Sequence, residues 1–408
     1  MLNATRPDLF EPGLFDGTRF YDVFAWYRRH EPVSWQGAGD DGFWSVTRYD
    51  DVVSVHRDTR RMSSTSGMRL GSEPAAVAAV ANRMLIVSDP PDHTRMKRTL
   101  IQPFSAELLD RAEAHVDAVV ARVVRRALGE SDEPDVLHHL RRIPTDVIAA
   151  IMQLPEDDWE WIGDTTTRAF EDPDARTRLT ANSEIFTYFY ELVARTRAGG
   201  PNAFVAGLLA DHTHEGRRGV SDEELVFNLA GVLAGGNETT RYTLAALTLE
   251  LAARPEQWQR VRDGAVELRH TTEEALRWSV PGMHVMRTAT EPTRLGDVTI
   301  EAGARVVTWI GSANRDERVF AQPDHFDAGR ADNRHLSFGT GRHLCLGSRL
   351  ARLEVTAYLK ALRESVGGLR LTGEPRYNGS NFTWGIDRLP LRLEPRPEPR
   401  SAARPEVN

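Results

Sequence analysis

A stretch of about thirty residues in the middle of this 408-residue chain has the pattern of one continuous helix. It begins at Ser221-Asp-Glu-Glu224, a capping box in which the serine and the last glutamate satisfy amides at the helix start, and it ends at Pro255. A helix of that length spans roughly 45–50 Å, and because it is apolar on most sides it must be buried. The sequence therefore predicts a fold arranged around one long internal helix.

The middle of this helix carries the sequence Gly235-Gly-Asn-Glu-Thr-Thr240. Two adjacent glycines in a helix interior each cost up to about 1 kcal/mol relative to alanine. We therefore interpret them as making space for a ligand. The alternative interpretation is a helix that is kinked at glycine and carries an exposed glutamate.

The only cysteine of the chain, Cys345, lies in the segment from His335 to Leu350 and cannot form a disulfide within the chain. Glycines surround it, and glycine permits positive φ and lets the backbone approach a flat ligand. Leucines at helical spacing follow it, so the sulfur is predicted at or near a helix N-terminus, where free amides and the helix dipole stabilise a thiolate. The alternative is a buried, inert thiol.

This segment resembles the haem-binding signature of the cytochrome P450 monooxygenases, Phe-Gly-x-Gly-x-His-x-Cys-x-Gly. The six defining positions are filled by Phe338, Gly339, Gly341, His343, Cys345 and Gly347. The resemblance implies haem b, with the Cys345 sulfur as the iron ligand and with Phe338, Gly339, His343 and Gly347 as further haem contacts. An axial thiolate favours O–O cleavage, so O2 is the implied co-substrate.

The glycine-containing part of the central helix is similar to the oxygen-binding motif of the same family. The resemblance implies that Glu238 is the acid and Thr239 the hydroxyl of a catalytic pair that delivers protons. Gly235 stands where alanine is common, which leaves more room over the haem or loosens the helix. A threonine inside a helix often donates to the carbonyl one turn back, and this is the purely structural alternative for Thr239.

Three basic residues match positions that contact the haem propionates in the family, namely His93, Lys97 and Arg287. The family usually has arginine where Lys97 stands. Lysine offers a point charge but no bidentate fork, so the neighbouring Arg98 is an alternative for the same role.

The Glu-x-x-Arg motif of the family is matched by Glu274 and Arg277, which stand three apart on a predicted helix and can form an ion pair. The arginine that often completes this pair is replaced by His325, so the third partner stays open.

Loops around the implied haem are expected to form the substrate pocket, and their side chains are mixed but mainly apolar. The candidate pocket residues are Met84, Leu85, Val232, Leu233, Gly235, Met283, His284, Phe382 and Trp384.

The resemblance implies a mostly α fold with a small β portion, namely the cytochrome P450 fold with its long central helix over a buried haem, and patterns elsewhere fit it. Helices are predicted over 20–29, 105–128, 140–154, 156–170 and 180–197, and strands over 33–36, 43–47, 293–300 and 305–309. We expect a single domain over residues 1–396 and a disordered, proline-rich tail over 397–408.

The charge and the ends of the chain restrict its partners. The net charge is −8, which argues against nucleic acid as a partner. The sequence has no signal-peptide pattern and no apolar run long enough to span a membrane. We therefore expect a cytoplasmic protein with no membrane contact.

The segment around the cysteine is basic although the chain is acidic. Its arginines are Arg330, Arg334, Arg342, Arg349 and Arg352. The exposed ones would form a positive patch that suits an acidic ferredoxin, supplied with electrons by a ferredoxin reductase.

The resemblance implies a haem monooxygenase that takes up electrons and O2 and hydroxylates or oxidatively couples a mainly apolar small molecule. Secondary-metabolite (antibiotic) biosynthesis is the expected setting, and an amino acid bound to a carrier protein is one substrate option. Two alternatives are a peroxide-driven or rearranging enzyme without an electron donor, and a haem-binding sensor. The sensor is disfavoured because Glu238 and Thr239 supply proton delivery, which binding alone does not require. The sequence does not identify the substrate, the redox partner or the oligomeric state.

Overall fold

The structure is a computed structural model, and it describes residues 6–37, 42–129, 135–171, 174–210 and 219–397. Most of the predicted tail lies outside the described residues. The central helix runs without interruption from Asp222 to Ala253, and the capping box of Ser221 and Glu224 is formed at its start. The prediction of one long internal helix is therefore confirmed, and its two adjacent glycines do not break it.

Helices make up most of the described chain. In order they are α1 (Phe20–His30), α2 (Tyr49–Arg57), α3 (Pro74–Val80), α4 (Asp92–Leu100), α5 (Ala106–Gly129), α6 (Leu137–Leu140), α7 (Arg142–Ile151), α8 (Trp159–Glu171), α9 (Ala175–Arg197), α10 (Ala203–Ala210), α11 (Asp222–Ala253), α12 (Pro255–Arg262), α13 (Leu268–Ser279), α14 (Ile310–Ala313) and α15 (Ser348–Ser365). In the part of the chain that the structure describes, none of these helices combines the length and apolar character that crossing a membrane requires.

The strands form one five-stranded sheet and three two-stranded ones. They are β1 (Val33–Gln36), β2 (Phe43–Val46), β3 (Met62–Ser63), β4 (His284–Ala289), β5 (Thr293–Leu295), β6 (Val298–Ile300), β7 (Arg305–Trp309), β8 (Val366–Leu371), β9 (Arg376–Tyr377), β10 (Ile386–Arg388) and β11 (Leu391–Pro395). The larger sheet has the order β1-β2-β7-β4-β3, and β2 and β7 are parallel. The prediction of a mostly α fold with a small β portion is confirmed.

Several details of the predicted elements differ from the structure. The strand predicted over 293–300 is an antiparallel pair, β5 and β6. The helix predicted over 140–154 is two helices, α6 and α7, that meet at Arg141. The strand β4 was not predicted. Its residues are buried almost continuously, so its sequence lacks the alternation of apolar and polar residues that marks a half-exposed strand.

A buried ion pair fixes the chain between α13 and the cysteine segment. Arg277 donates to both carboxylate oxygens of Glu274 at 2.8 and 2.9 Å, and both side chains are fully buried. The third partner, left open by the sequence, is Arg330, whose Nε donates to Glu274 at 3.0 Å. His325 contributes its backbone carbonyl, which accepts from both arginines. Arg330 therefore belongs to the fold and not to an exposed basic patch.

A second buried acid lies where α11 packs on α15. Glu354 on α15 is 2% exposed, its Oε2 has no hydrogen-bond partner in the described chain, and its other contact is the Thr240 hydroxyl. Burial raises the pKa of Glu354 to about 8. The carboxyl group is therefore protonated at neutral pH.

This protonation predicts how stability changes with pH. The folded chain keeps the Glu354 proton up to about pH 8, whereas the unfolded chain releases it near the ordinary glutamate value, so stability must fall as the pH rises between these values. We expect wild type to lose about 3 kcal/mol from this group between pH 5 and pH 8. Glu354→Gln should lack that loss, as read from urea unfolding midpoints.

Glu364→Gln is the matched control, because Glu364 is exposed on the same helix. The control should show the pH dependence of wild type. If Glu354→Gln also follows wild type at both pH values, Glu354 is ionised in the folded protein.

Candidate active site

The segment around Cys345 is held as a tight loop in front of α15. The Cys345 amide donates to the Phe338 carbonyl at 3.0 Å, which closes the loop. Gly341 has φ +73°, and a Cβ there would lie 2.9 Å from the His56 carbonyl of α2. The glycine is therefore required by both the backbone conformation and the close approach of α2. The next helix begins at Ser348, so the sulfur lies just ahead of a helix N-terminus, as predicted.

The Cys345 thiol is deep in the protein and yet accessible. Burial raises its pKa, and the Gly347 amide, Lys97 and Arg352 act in the opposite direction. The side chain nevertheless keeps an exposed surface. This combination is expected for a group on the wall of an interior space. The amide of Gly347 and the nearby cations are the features that stabilise a thiolate once such a space is filled.

The central helix also has an accessible face in its buried middle. Gly235 is exposed although its helix neighbours Leu233 and Asn237 are buried. Thr239, one turn later, lies on the same face, and its Oγ1 donates to the Gly235 carbonyl at 2.7 Å. This is the bond that the structural alternative predicted. Because the hydroxyl proton takes part in this bond, the Thr239 oxygen can accept a hydrogen bond from a group in front of the helix but cannot donate one.

Glu238 points to a different side of the helix, because consecutive helical residues are about 100° apart. Its carboxyl group is buried and accepts from Arg241 at 2.8 Å. Burial raises the pKa of Glu238 to about 8, and the hydrogen bond from Tyr242 acts against the shift. The structure therefore does not bring Glu238 and Thr239 together on one face.

Basic side chains converge beside the cysteine loop. His93 is 2% exposed, its ring centroid lies 4.2 Å from that of His343, and its Nε2 has no hydrogen-bond partner in the described chain. Arg287 is also buried, and within the described residues its guanidinium donates to the carbonyl of its neighbour Met286 at 2.8 Å and to no carboxylate. Burial lowers the pKa of Arg287 to about 10, and Asp89 opposes the shift. Burial and nearby cations lower the pKa of His93 to about 4.

Lys97 and Arg98 lie differently from this buried pair. The Lys97 ammonium donates to the carbonyls of Arg342 and Leu344 in the cysteine loop, the latter at 3.0 Å. Arg98 is exposed. The structure therefore brings His93, Lys97, Arg287 and His343 to the loop, whereas Arg98 stays at the surface.

This arrangement fits a haem. A buried arginine needs an anionic partner, since an unpaired buried cation is costly, and the unbonded nitrogen of the buried, neutral His93 can donate to the same anion. Two propionates would supply it. The accessible thiol would supply the iron ligand, and in the described chain nothing lies within 4 Å of where a Cβ on Gly235 would be, so this face of the central helix leaves room.

Arg352 of α15 packs on Phe338 of the cysteine loop. Arg352 lies 4.6 Å from the Phe338 ring centroid and donates to both oxygens of Glu273 at 2.6 and 2.9 Å. His335 approaches the same carboxylate at 3.1 Å. Burial acts to raise the pKa of Glu273, but the hydrogen bonds from His335 and Arg352 lower it to about 2.

The predicted pocket residues separate into two groups. Met84, Leu85, Val232 and Phe382 are half-buried, and Gly235 is exposed, so these five keep surface for a ligand. Met84 packs against the helix at Gly231, where a Cβ would lie 2.7 Å from its terminal methyl carbon. This group agrees with a pocket beside the middle of α11.

The remaining four are fully packed. Leu233 and Met283 belong to the hydrophobic core. The Trp384 ring stacks on Tyr377 at 4.9 Å, and its Nε1 donates to the Phe15 carbonyl at 2.9 Å, so core packing occupies it.

Both ring nitrogens of His284 are bonded to backbone, Nε2 accepting from the Leu70 amide at 3.1 Å and Nδ1 lying 2.7 Å from the Asn381 carbonyl. Burial lowers the pKa of His284 to about 4. His284 thus joins three loops and has no nitrogen left for substrate.

Two supporting residues had no sequence signal. His56 on α2 bonds Thr308 at 2.9 Å behind the cysteine loop, and the Ser64 hydroxyl lies 3.1 Å from Nε2 of His343. Both are distant in sequence from the motif, and single histidines and serines are common, so only the fold could identify them.

Comparisons with known proteins agree with this geometry. The family model described as Cytochrome P450 matches residues 175–362. Cytochrome P450 NovI of Streptomyces niveus is 34% identical over 393 residues, which cover 95% of this chain and 96% of NovI. Linalool 8-monooxygenase of Pseudomonas putida is 33% identical over 408 residues, covering 96% of this chain and all of the relative.

A solved structure has the same fold. P450 OxyD, involved in the biosynthesis of vancomycin-type antibiotics, superposes with a TM-score of 0.86 at 31% identity and covers 95% of this chain and 100% of its own. Similarity of this extent, together with the cysteine loop and the glycine-bearing central helix, gives one conclusion: the chain belongs to the cytochrome P450 family and is a haem-thiolate monooxygenase.

Proposed function

We propose that this enzyme holds haem b through Cys345 and hydroxylates or oxidatively couples a mainly apolar small molecule of secondary metabolism. The observation that carries the proposal is the Cys345 thiol, which keeps an exposed surface although burial raises its pKa. When bound, the haem supplies the activation of O2 at a thiolate-ligated iron. The chain positions the cofactor, admits the substrate and delivers protons.

His93 and Arg287 are the proposed partners of the propionates. Both are buried and both lack a carboxylate within hydrogen-bonding distance in the described part of the chain. Lys97 is a weaker candidate, because it must first give up the loop carbonyls that it now bonds. Phe338, Gly339, His343 and Gly347 are proposed to line the cofactor on the cysteine side.

Thr239 and Glu238 are the proposed proton-delivery residues. The Thr239 oxygen can accept a hydrogen bond from a water or a substrate hydroxyl, because its own proton is held by Gly235. Burial raises the pKa of Glu238 to about 8, which favours its protonated form and makes it the proposed proton donor. Its carboxyl group must turn away from Arg241 to pass that proton toward Thr239.

The substrate class rests on the pocket and on the relatives. The side chains that remain available are Met84, Leu85, Val232 and Phe382, which form an apolar lining. NovI and OxyD resemble this chain, and OxyD takes part in antibiotic biosynthesis. Another structural neighbour, P450BioI, was solved with an acyl carrier protein that carries a fatty acid. A carrier-bound substrate is therefore part of the proposal.

Electrons are proposed to arrive from a ferredoxin and its reductase. The positive patch is smaller than the sequence predicted, since Arg330 is buried in the ion-pair cluster and Arg352 is held by Glu273. Arg334, Arg342 and Arg349 stay exposed around the exposed Leu344. Peroxide-driven chemistry is the alternative, and it requires no such donor.

The role of Thr239 in proton delivery is tested by measuring which fraction of the supplied electrons ends in product and which in hydrogen peroxide. A compound that shifts the haem absorption band serves as substrate, with ferredoxin and reductase supplied. Thr239→Ala should bind it and accept electrons as wild type does, yet release most of them as hydrogen peroxide. Product, peroxide and reductant are measured together.

Thr243→Ala is the control, because Thr243 makes the same backbone bond one turn later, to the Thr239 carbonyl at 3.1 Å. If Thr239→Ala couples electrons to product like wild type, proton delivery passes to Thr240, a water or the substrate. Turnover with peroxide alone, and none with ferredoxin, would favour the peroxide-driven alternative.

The docking role of the exposed arginines predicts a salt-dependent defect. Arg349→Glu should slow the first electron transfer several-fold at low ionic strength, and the defect should shrink in high salt because surface charges are then screened. Stopped-flow reduction of the haem measures this. Arg60→Glu is the control, since Arg60 is exposed and lies on another part of the chain. Equal rates for Arg349→Glu and wild type at every salt concentration would show that the donor docks elsewhere.

A further inference from the structure

A second cavity lies away from the cysteine loop, at the C-terminal half of α11. It is an open cleft of about 440 Å³ between α1, α11, α13 and the β9–β10 hairpin. Among the residues proposed above for haem or substrate, Trp384 alone borders it. Its rim is exposed at Thr18, Asp22 and Asp324, whereas its floor is buried at Tyr242. A cleft of this size holds a small organic ligand.

The polar centre of this cleft is Arg315, which is held between two aromatic rings. The guanidinium carbon lies 3.7 Å from the Tyr21 ring centroid and 3.8 Å from that of Trp278. Stacking on both faces fixes the plane of the guanidinium, so its donors have fixed directions. The side chain is 6% exposed.

The guanidinium of Arg315 lacks a well-placed anionic partner. Its nearest carboxylate is that of Asp324, which is 68% exposed and accepts one bond from Nη1 at 3.3 Å. Nε has no partner in the described residues. A guanidinium has five N–H donors and usually binds a carboxylate through two of them. Arg315 is thus preformed for a carboxylate better placed than Asp324.

The other charges of the cleft do not compete for such a ligand. Arg254 is paired with Glu250 of its own helix, and Arg19 is paired with Glu11. Asp22 on the rim is the acid that opposes an incoming anion, so long-range attraction is weak and recognition must come from contact with Arg315.

The remaining walls are aromatic. The half-buried Tyr377 ring stacks at 4.9 Å, with planes 12° apart, on Trp384, which is itself buried. Tyr242 lies on the floor beside Ala246 and Leu249. Flat rings of this kind favour a planar apolar body on the ligand.

We propose that this cleft is a second ligand site, separate from the haem pocket, that binds a small aromatic carboxylic acid. The carboxylate takes the place of Asp324 on Arg315, and the ring packs against the aromatic wall. Asp324, which is mostly in solvent, swings outward at little cost. The site does not depend on the identity of the monooxygenase substrate.

The test uses the haem-loaded enzyme, with indole-3-carboxylate as probe and indole-3-carboxamide as its uncharged match. Calorimetric titration gives the affinity, and the haem absorption is recorded during the same titration. We expect the acid to bind at least tenfold more tightly than the amide, without a shift of the haem band.

Two variants localise the binding. Ala246→Trp fills the cleft, and Arg315→Gln removes the guanidinium; each should weaken binding of the acid at least tenfold. Ala253→Trp makes the same change at an exposed position of the same helix and should bind like wild type. Because Arg315→Gln also removes core stacking, Ala246→Trp decides the result if Arg315→Gln does not fold.

Three results would overturn the proposal. They are the absence of binding at millimolar acid, equal binding of acid and amide, and full binding by Ala246→Trp. In the last case a concurrent shift of the haem band would place the acid in the haem pocket.

Discussion

The buried ion pair of Glu274 and Arg277 is the interaction on which the cysteine loop depends. Arg277 also donates to the carbonyls of Asn314 and Pro323, each at 2.9 Å, so one side chain ties α13 to the chain that leads to the loop. Two fully buried charges gain little net stability, because desolvation offsets their attraction, but removing one leaves an uncompensated charge that costs several kcal/mol. The pair therefore acts mainly to specify one path for the backbone, and Arg330 completes it.

The cofactor space follows from that path. With the loop fixed, Cys345 is deep but accessible. The cations Lys97 and Arg287 lie beside the neutral His93, with little negative charge around them. Burial lowers the pKa of Arg287, because no carboxylate of the described chain lies within hydrogen-bonding distance to offset the loss of solvent. Gly235 leaves the face of the central helix open, since nothing in the described chain lies within 4 Å of where its Cβ would be. The chain thus has the basic side chains, the candidate iron ligand and the open helix face that a haem requires.

The sequence predicted what depends on local pattern or on a short motif. The capping box at Ser221, the long helix and the loop before α15 all follow from neighbouring residues, and the structure contains them. It could not predict which loop residues turn inward: Met283 and Trp384 were expected in the pocket but pack into the core, and His284 is used by backbone groups. Those outcomes depend on contacts between segments that are far apart in sequence. The partner of Glu274 was missed for the same reason, since Arg330 reaches it from outside the expected motif.

The spectrum of the reduced protein with carbon monoxide tests most directly whether Cys345 is the ligand of the haem iron. Thiolate ligation predicts an intense band at the long wavelength that distinguishes cysteine-ligated haem from histidine-ligated haem. Cys345→Ala should lose that band while keeping the helical circular dichroism of the wild type. A Cys345→Ala protein that retains the band would contradict the assignment, because the loop contains the only cysteine of the chain.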